Sequence, residues 1–214
     1  MGIIQRKVKL VEFRRSDIIE AAERVFFSKG YTETTMDDIA KEAEYSKRTI
    51  YTYFTSKKEI YFEIMLKGFR ILNSLLQSEF GRGSLNGIEK IRILGESYFN
   101  FAVKYPGYMQ AIIEYETSEK DIENEDKDSL IRKCYTEGEK SFILLTEAIR
   151  EGIEQGDIIE GIDVVDTAIS LWSSIIGFIT LARKKDIYLE RQYGKSKKDL
   201  FEATFELVIR SLKK

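Results

Sequence analysis

The chain has 214 residues, 43% hydrophobic and 33% charged with a net charge of −2, which is typical of a soluble protein with a buried core. Histidine is absent and Cys134 is the single cysteine. We therefore expect no His/Cys zinc site, no His-based catalytic triad and no internal disulfide, and a reducing cytosol fits this composition. The single proline and the lack of alternating β-branched runs indicate an all-α fold.

The charges are unevenly distributed along the chain. Residues 1–15 form a basic arm in which five basic residues face one acid, Glu12, and residues 114–128 carry eight acids against two lysines. We predict that the acidic run is a solvated loop. The basic residues are Arg6, Lys7, Lys9, Arg14 and Arg15, and the acids are Glu114, Glu116, Glu119, Asp121, Glu123, Glu125, Asp126 and Asp128.

Neither the start of the chain nor any later segment has the pattern expected of a membrane or export signal. The stretch MGIIQRKVKLVEF does not sustain the apolar run of a signal peptide. The best apolar segment, around Ile175 to Ala182, is shorter than a bilayer is thick. We therefore predict a cytoplasmic protein without a membrane partner.

Helical signals start near the N-terminus and predict three helices in the first 55 residues. Apolar residues at helical spacing predict a first helix over residues 11–28, ended by Gly30. Thr35, with Asp38 three residues on, is typical of a capping box that begins a second helix to about Ala43. Ser46 is a suitable N-cap for a third helix to about Phe54.

Six further helices are predicted after Ser56, for about nine in all. A long helix starts at Ser56, the glycines at 81, 83 and 87 break the chain, and Pro106 separates a fifth helix from a short sixth. A long seventh helix ends at Gly156, Asp163 caps an eighth, and a ninth covers about residues 197–212.

The eighth helix is apolar on two sides, which requires two packing partners. One partner can be the chain's own core, and the other can be a second copy of the protein. We therefore predict a homodimer that forms through the last two helices. The first stripe is Val165, Ala168, Ile169, Trp172, Ile176 and Ile179, and the second is Val164, Leu171, Phe178 and Leu181.

Two short helices joined by a tight turn, the second polar and basic, are typical of a helix-turn-helix. Lys47 and Arg48 lie at the N-terminal end of the second helix, which enters the major groove deepest, and they can read guanine edges. Hydroxyl and ammonium groups further along can bind phosphates. These phosphate-binding candidates are Thr49, Tyr51, Tyr53 and Lys57.

The segment TTMDDIAKEAEYSKRTIYTYFTSKKEIYFEIM, preceded by IIEAAERVFFSKGYTETT, resembles the N-terminal domain of the tetracycline-repressor (TetR) family of transcription regulators. The resemblance implies a three-helix DNA-binding domain, residues 1–55 with the basic arm, and a larger helical effector-binding and dimerisation domain, residues 56–214. It implies contacts to bases from Lys47, Arg48 and Thr52. It implies contacts to the DNA backbone from Thr35, Thr49, Tyr51, Tyr53 and Lys57.

Glu44 departs from the family pattern, which usually has glycine between the second and third helices. A non-glycine residue with positive φ costs about 1 kcal/mol or more. Glu44 also places a negative charge near DNA, so either the turn is shaped differently here or the affinity for DNA is lower. Tyr45, where a smaller apolar residue is usual, can fill the altered space.

The larger domain is expected to enclose an apolar pocket for a small-molecule effector, which the sequence does not identify. The resemblance places ten residues around that pocket, although each could equally be an ordinary core residue. They are Phe69, Tyr98, Phe101, Tyr108, Met109, Ile112, Tyr135, Phe142, Trp172 and Ile176.

The sequence therefore predicts a ligand-responsive transcriptional regulator, specifically a repressor that a small-molecule effector releases from double-stranded operator DNA. A DNA-bound adaptor of the same fold, with a protein as its partner, is the alternative. No motif arranges the acids for acid–base catalysis, so the protein is not expected to be an enzyme. No cofactor or metal is implied.

Overall fold

The computed structural model describes residues 3–80, 85–115, 117–118, 121 and 129–214. Over these ranges it contains nine α-helices and no extended strand, as the sequence predicts. The helices are α1 Ile3–Glu33, α2 Met36–Glu42, α3 Lys47–Tyr53, α4 Lys57–Phe80, α5 Gly87–Lys104, α6 Pro106–Glu114, α7 Leu130–Gln155, α8 Val164–Tyr193 and α9 Lys197–Leu212.

The predicted N-caps begin their helices as expected. The Thr35 hydroxyl accepts the Asp38 N–H at 3.1 Å, and the Asp38 carboxylate accepts the Thr35 N–H at 2.9 Å, which completes the capping box. The Asp163 carboxylate accepts the backbone N–H groups of Val165 and Asp166 at 2.8 and 2.9 Å. Side-chain oxygens thus satisfy backbone donors that the first turn of a helix leaves unpaired.

The first helix is longer than predicted. It begins at Ile3 instead of residue 11 and reaches Glu33, although Gly30, with φ 78° and ψ 172°, interrupts its helical geometry. The glycine break predicted at 81 and 83 lies outside the described residues, and Gly87 is already the first residue of α5.

By backbone contacts the chain divides into two compact units, Met1–Arg70 with Tyr105–Glu137, and Ile71–Lys104 with Gly138–Lys214. The first unit contains the predicted helix-turn-helix, and also α6 and the starts of α4 and α7. Its apolar core draws on α1 to α4, on α6 and on the start of α7. Its buried members include Ile18, Ala21, Ala22 and Phe26 of α1, Ile39 of α2, Ile50 of α3, Ile60 and Ile64 of α4, Met109 and Ala111 of α6, and Cys134 of α7.

The second unit has an aromatic core between α5, α8 and α9. Phe99 stacks on Phe201 with ring centroids 4.4 Å apart, and Phe201 stacks on Phe205 at 5.3 Å. Gly95 allows α5 to approach α9, because a Cβ there would lie 2.2 Å from the Phe205 ring. These contacts bury one side of α9, with Phe205 and Leu212 both inside the unit.

Helix α8 has apolar residues on its outer side as well as its inner side. Ala168, Leu171, Ile175, Ile179 and Ala182 are buried, so the inner stripe differs from both predicted stripes. By length and composition alone α8 could cross a membrane, with a mean hydropathy of 1.7, and 22% of that window is buried. The sequence prediction that no apolar segment is long enough to span a membrane therefore does not hold for α8. Val165, Ile169 and Trp172 are exposed on one flank of α8, and Leu181 is exposed on the opposite flank, half a turn away from Trp172.

The turn between α2 and α3 is strained at Glu44. Glu44 has φ 57°, in the left-handed region that glycine adopts without cost. Its neighbour Tyr45 is half-buried, and its hydroxyl donates to the Asp17 carboxylate of α1 at 2.9 Å. Tyr45 therefore anchors the strained turn to the first helix.

We predict that Glu44→Gly stabilises the protein by about 0.5–1 kcal/mol. The left-handed conformation costs a residue with a Cβ about 1–2 kcal/mol, and the greater freedom of glycine in the unfolded chain cancels part of that gain. Urea unfolding followed by circular dichroism measures the difference.

Glu44→Gln is the matched control, because it removes the charge and keeps the Cβ. It should leave the free energy of unfolding near that of the wild type. Equal stabilisation by both variants would show that the charge, and not the backbone, carries the cost at this position.

Candidate nucleic-acid interface

Helix α3 has only seven residues and cannot be stable in isolation. The Ser46 hydroxyl caps its first turn by accepting the Thr49 N–H at 3.1 Å. Ile50, in the middle of the helix, is fully buried against the core of the first unit. The helix is therefore fixed at its start and along its inner side.

Two arginines of α1 fix the other end of α3. The Arg15 guanidinium donates to the Tyr53 carbonyl at 2.6 Å, and the Arg14 guanidinium donates to the Tyr53 hydroxyl at 3.2 Å. Arg15 also lies 4.2 Å above the centre of the Phe54 ring and donates to the Glu63 carboxylate at 2.7 Å. A cation at this carbonyl satisfies a group that the helix leaves unpaired and suits the negative end of the helix dipole.

Four of the predicted DNA-binding side chains share the exposed side of α3. Lys47, Arg48, Tyr51 and Thr52 are all exposed. The Lys47 ammonium lies 2.8 Å from the Asp37 carboxylate of α2, and this hydrogen bond raises the Lys47 pKa. Because both groups are in solvent the pair contributes little to stability, so Lys47 can exchange this partner for another anion.

Four of the predicted hydroxyl groups, those of Thr35, Thr49, Thr52 and Tyr53, already have partners within the protein. The Thr52 hydroxyl donates to the Arg48 carbonyl at 3.0 Å. Thr49 exchanges a hydrogen bond with the Ser46 hydroxyl at 2.8 Å, Thr35 donates to Asp38 at 2.8 Å, and the Tyr53 hydroxyl accepts from Arg14. Thr35 remains exposed at the start of α2, whereas Thr49 and Tyr53 are half-buried beside the exposed side of α3.

Lys57, predicted to bind a phosphate, is held by backbone carbonyls. Its ammonium donates to the carbonyls of Tyr31, Thr32 and Thr34 at 2.9, 3.2 and 2.9 Å and lies 4.6 Å from the centre of the Tyr31 ring. An ammonium has three N–H donors. In this structure Lys57 therefore joins the start of α4 to the end of α1.

One member of the acidic run is buried, contrary to the prediction of a solvated loop. Asp121 has a side chain 1% exposed and lies 2.7 Å from the Lys58 ammonium of α4. It also accepts the Tyr115 hydroxyl at 2.9 Å and both the hydroxyl and the backbone N–H of Ser118. Burial alone would raise the Asp121 pKa, but these hydrogen bonds lower it to about 2. Residues 116, 119, 123, 125, 126 and 128 of the acidic run lie outside the described residues, so the structure does not test the prediction there.

Five predicted effector residues belong to the first unit: Phe69, Tyr108, Met109, Ile112 and Tyr135. Met109 is buried and Phe69 and Ile112 are half-buried. The Tyr135 hydroxyl donates to the Thr117 hydroxyl at 2.9 Å.

Tyr108 joins α6 to α1 and α4. Its hydroxyl donates to the Glu23 carboxylate at 2.7 Å, and the Lys67 ammonium donates to the same oxygen at 2.8 Å. Burial raises the Tyr108 pKa to about 12, so the phenol stays protonated and can keep donating. In this structure Tyr108 is a packing residue with a satisfied hydroxyl.

The other five, Tyr98, Phe101, Phe142, Trp172 and Ile176, belong to the second unit. Phe101 is fully buried, and the half-buried Tyr98 shares a 2.7 Å hydrogen bond with the Ser141 hydroxyl. The Phe142 and Trp172 rings meet edge-on at 6.4 Å, although Trp172 is 48% exposed.

An open groove of about 600 Å³ lies on the C-terminal part of α8, and none of these ten residues lines it. Its lining residues are Arg183, Lys184, Lys185, Asp186, Ile187, Tyr188, Arg191 and Gln192.

Two family models match the chain. One, described as bacterial regulatory proteins of the tetR family, matches residues 18–64, which include the capped helices α2 and α3. The other, described as a tetracyclin repressor-like C-terminal domain, matches residues 91–212. The second match alone covers more than half of the chain.

Two relatives match the chain over shorter stretches. The biofilm operon icaADBC negative transcriptional regulator IcaR of Staphylococcus aureus (strain Newman) is 32% identical over 91 residues, which are 42% of this chain and 49% of IcaR. The transcriptional regulator HbdR of Aromatoleum sp. (strain CIB) is 50% identical over 54 residues, 25% of this chain and 24% of HbdR. The chain thus spans about half the length of IcaR and a quarter of HbdR.

The fold is shared with solved structures over nearly the full length. The FadR regulator of Bacillus subtilis, solved in complex with stearoyl-CoA, superimposes with a TM-score of 0.69 at 22% identity, covering 91% of this chain and 97% of FadR. At this identity the likeness establishes the fold. The two family models show that the chain belongs to the TetR family of regulatory proteins.

Proposed function

We propose that this protein is a cytoplasmic, homodimeric transcriptional repressor that binds double-stranded operator DNA and is released by a small-molecule effector. The exposed side of α3 is the observation that carries the proposal. A seven-residue helix is capped, buried on one side and clamped at its end, while Lys47, Arg48, Tyr51 and Thr52 remain exposed. This arrangement presents donors on a rigid element, as recognition in a major groove requires.

Different side chains are proposed for bases and for phosphates. Lys47 and Arg48, at the start of α3, and Thr52, one turn later, contact base edges, and an arginine there can bind guanine through two hydrogen bonds. Tyr51 and the hydroxyl groups at 35, 49 and 53 contact the DNA backbone. Lys57 is the exception, because its three N–H groups already bind carbonyls. We assign it the support of α4 instead of a phosphate contact.

A dimer follows from the outer side of α8. Val165, Ile169 and Trp172 lie at helical spacing and are about half exposed in a single chain, and Leu207 of α9 is 68% exposed. Covering this apolar surface with a second copy contributes about 25 cal/mol for each Å² removed from water, which offsets the entropy lost on association. A two-fold pair also supplies two recognition helices for successive major grooves, about 34–36 Å apart.

The effector is proposed to bind in the domain of residues 56–214. Support comes from the match of the C-terminal family model and from the fold shared with FadR, whose structure holds stearoyl-CoA. A ligand that binds better to one dimer state than to another shifts the population between states, and this difference in affinity is sufficient to release DNA.

We expect Lys47→Ala and Arg48→Ala to weaken binding to a specific site more than binding to random DNA. The loss of a base contact costs roughly 1–3 kcal/mol on the specific site. The measurement is fluorescence anisotropy with a duplex selected from a random library by the wild-type protein, compared with a random duplex of equal length.

Lys198→Ala is the control for this comparison, because Lys198 is an exposed lysine of α9 with a side chain 76% exposed. It should leave both affinities unchanged. Equal losses on both duplexes would assign Lys47 and Arg48 to phosphate contacts, and unchanged affinities would remove α3 from the interface.

Ile169→Glu should dissociate the dimer, since it places a charge in the outer apolar stripe of α8. Ile143→Glu is the matched control: Ile143 lies on α7 and is 48% exposed, against 45% for Ile169. Sedimentation equilibrium at micromolar concentration should show monomers for the first variant and dimers for the second. A wild-type monomer under these conditions would contradict the proposed assembly. Phe205 and Leu212 are unsuitable positions for a charge that tests the dimer, because both are buried within the chain.

Stearoyl-CoA is the first effector to test. A ligand that prefers the native state at 100 times its Kd raises the unfolding free energy by about 2.7 kcal/mol, which a thermal-shift measurement detects. Free coenzyme A is the control for the acyl chain. An effector that releases DNA must also lower the protein's affinity for DNA. Because coupling is reciprocal, DNA must then lower the affinity for the effector by the same factor. A protein that binds DNA but responds to no small molecule would favour the adaptor function.

A further inference from the structure

Two consecutive acids lie in the first turn of α2, and they have different partners. The Asp38 carboxylate completes the capping box with Thr35 and lies 2.7 Å from the Lys29 ammonium. Asp37 takes no part in the cap. Among the residues that the structure describes, its carboxylate has one partner, the Lys47 ammonium of α3, at 2.8 Å. An acid that the cap does not need is therefore bound to the first residue of the proposed recognition helix.

Both members of this pair are exposed beside the proposed DNA-binding side of α3. The side chain of Lys47 is 52% exposed, and that of Asp37 is 67% exposed. An acid at this place opposes DNA binding in general, because it repels phosphates and occupies a cation that could bind one. The pair is therefore expected to affect which DNA is bound more than how tightly any DNA is bound.

The donors of Lys47 are sufficient for Asp37 and a base together. An ammonium has three N–H donors. One binds Asp37, and two remain for the major groove, where guanine presents its O6 and N7 acceptors side by side. A lone lysine carries its charge on a flexible four-carbon stem. Asp37 restricts that freedom and holds the ammonium beside the start of α3.

The same pairing makes a phosphate a weaker competitor for Lys47. To bind a phosphate with its full charge, Lys47 must leave Asp37, and the carboxylate then remains unpaired beside the DNA backbone. One ion pair replaces another, and a repulsion is added. A guanine edge has no net charge and does not require this exchange.

We propose that Asp37 is a specificity-determining residue, which positions the Lys47 ammonium for the O6 and N7 acceptors of a guanine and withholds it from the phosphates of other sequences. The inference rests on the proposed DNA-binding function. Asp37 acts through Lys47 and is a positioning residue.

Asp37→Asn tests this role, because it keeps the shape of the side chain and removes its charge. The probes are a fluorescein-labelled duplex selected from a random library by the wild-type protein and a random duplex of equal length. The ratio of the two association constants should fall by about tenfold, within the range of one base contact. On the random duplex the slope of log K against log salt should steepen by about 0.9, because Lys47 becomes free to bind a phosphate.

Glu42→Gln is the matched control on the same helix. The Glu42 carboxylate pairs with the Arg24 guanidinium of α1 at 2.6 Å, and it lies about 140° around α2 from Asp37. This variant should leave the ratio and the slope unchanged, with the same helix content by circular dichroism for both variants. Equal effects of the two variants would show that an acid on α2 acts through its charge alone, and would overturn the proposal.

A double-mutant cycle separates a role through Lys47 from a general repulsion of DNA. In a Lys47→Ala background, Asp37→Asn should no longer change the ratio of association constants. A ratio that falls as far in that background as in the wild type would overturn the proposal. An Asp37→Asn variant that strengthens both complexes equally would overturn it as well.

Guanines of the selected duplex can be replaced one at a time by 7-deazaguanine, which lacks the N7 acceptor. One replacement in each half-site should weaken the wild-type complex and leave the Lys47→Ala and Asp37→Asn complexes unaffected. A wild-type complex that tolerates every replacement would overturn the assignment of guanine to Lys47.

Failure of this role and failure of the proposed function give different results. If the wild-type protein selects no sequence from the library, DNA recognition fails, and this inference fails with it. If a sequence is selected and Lys47→Ala lowers the ratio while Asp37→Asn retains it, only the role of Asp37 fails.

Discussion

The presentation of the recognition helix depends on one side chain, Arg15. Its guanidinium binds the last carbonyl of α3, pairs with Glu63 of α4 and stacks over the Phe54 ring between them. Helix α3 is too short to persist alone, so its orientation is set by what holds its ends. Because α1 supplies the clamp and most of the core beneath α3, the direction of α1 determines where the exposed donors point.

Helix α6 is attached to the same framework. Tyr108 and Lys67 converge on Glu23 of α1, and the Tyr61 hydroxyl of α4 donates to the Ala111 carbonyl of α6 at 3.2 Å. A displacement of α6 therefore acts directly on α1 and on the start of α4. Through α1, this connection also links α6 to α3.

The strained turn at Glu44 and the exposed apolar surface of α8 both cost the isolated chain stability. Glu44 holds a left-handed backbone in the turn that sets the angle between α2 and α3, and Tyr45 compensates through Asp17. The outer side of α8 leaves Ile169 and Trp172 about half exposed, which a second chain can cover. The exposed apolar side of α8 costs stability in an isolated chain and becomes favourable when a second chain covers it, whereas the strain at Glu44 is a cost in either state.

The sequence alone determined the order of the helices and their caps, although not the start of α1, and it marked Glu44 as a departure in the turn. Capping at Thr35 and the conformation of Glu44 depend on residues only a few positions apart, and the exposed donors of α3 follow from helical periodicity. The tertiary structure alone decided the partners of long charged side chains. Arg15, Lys57 and Asp121 resemble solvated charges in the sequence, yet each is bound by groups more than twenty residues away in the chain. Such side chains select partners by proximity in the folded chain, which a linear pattern does not encode.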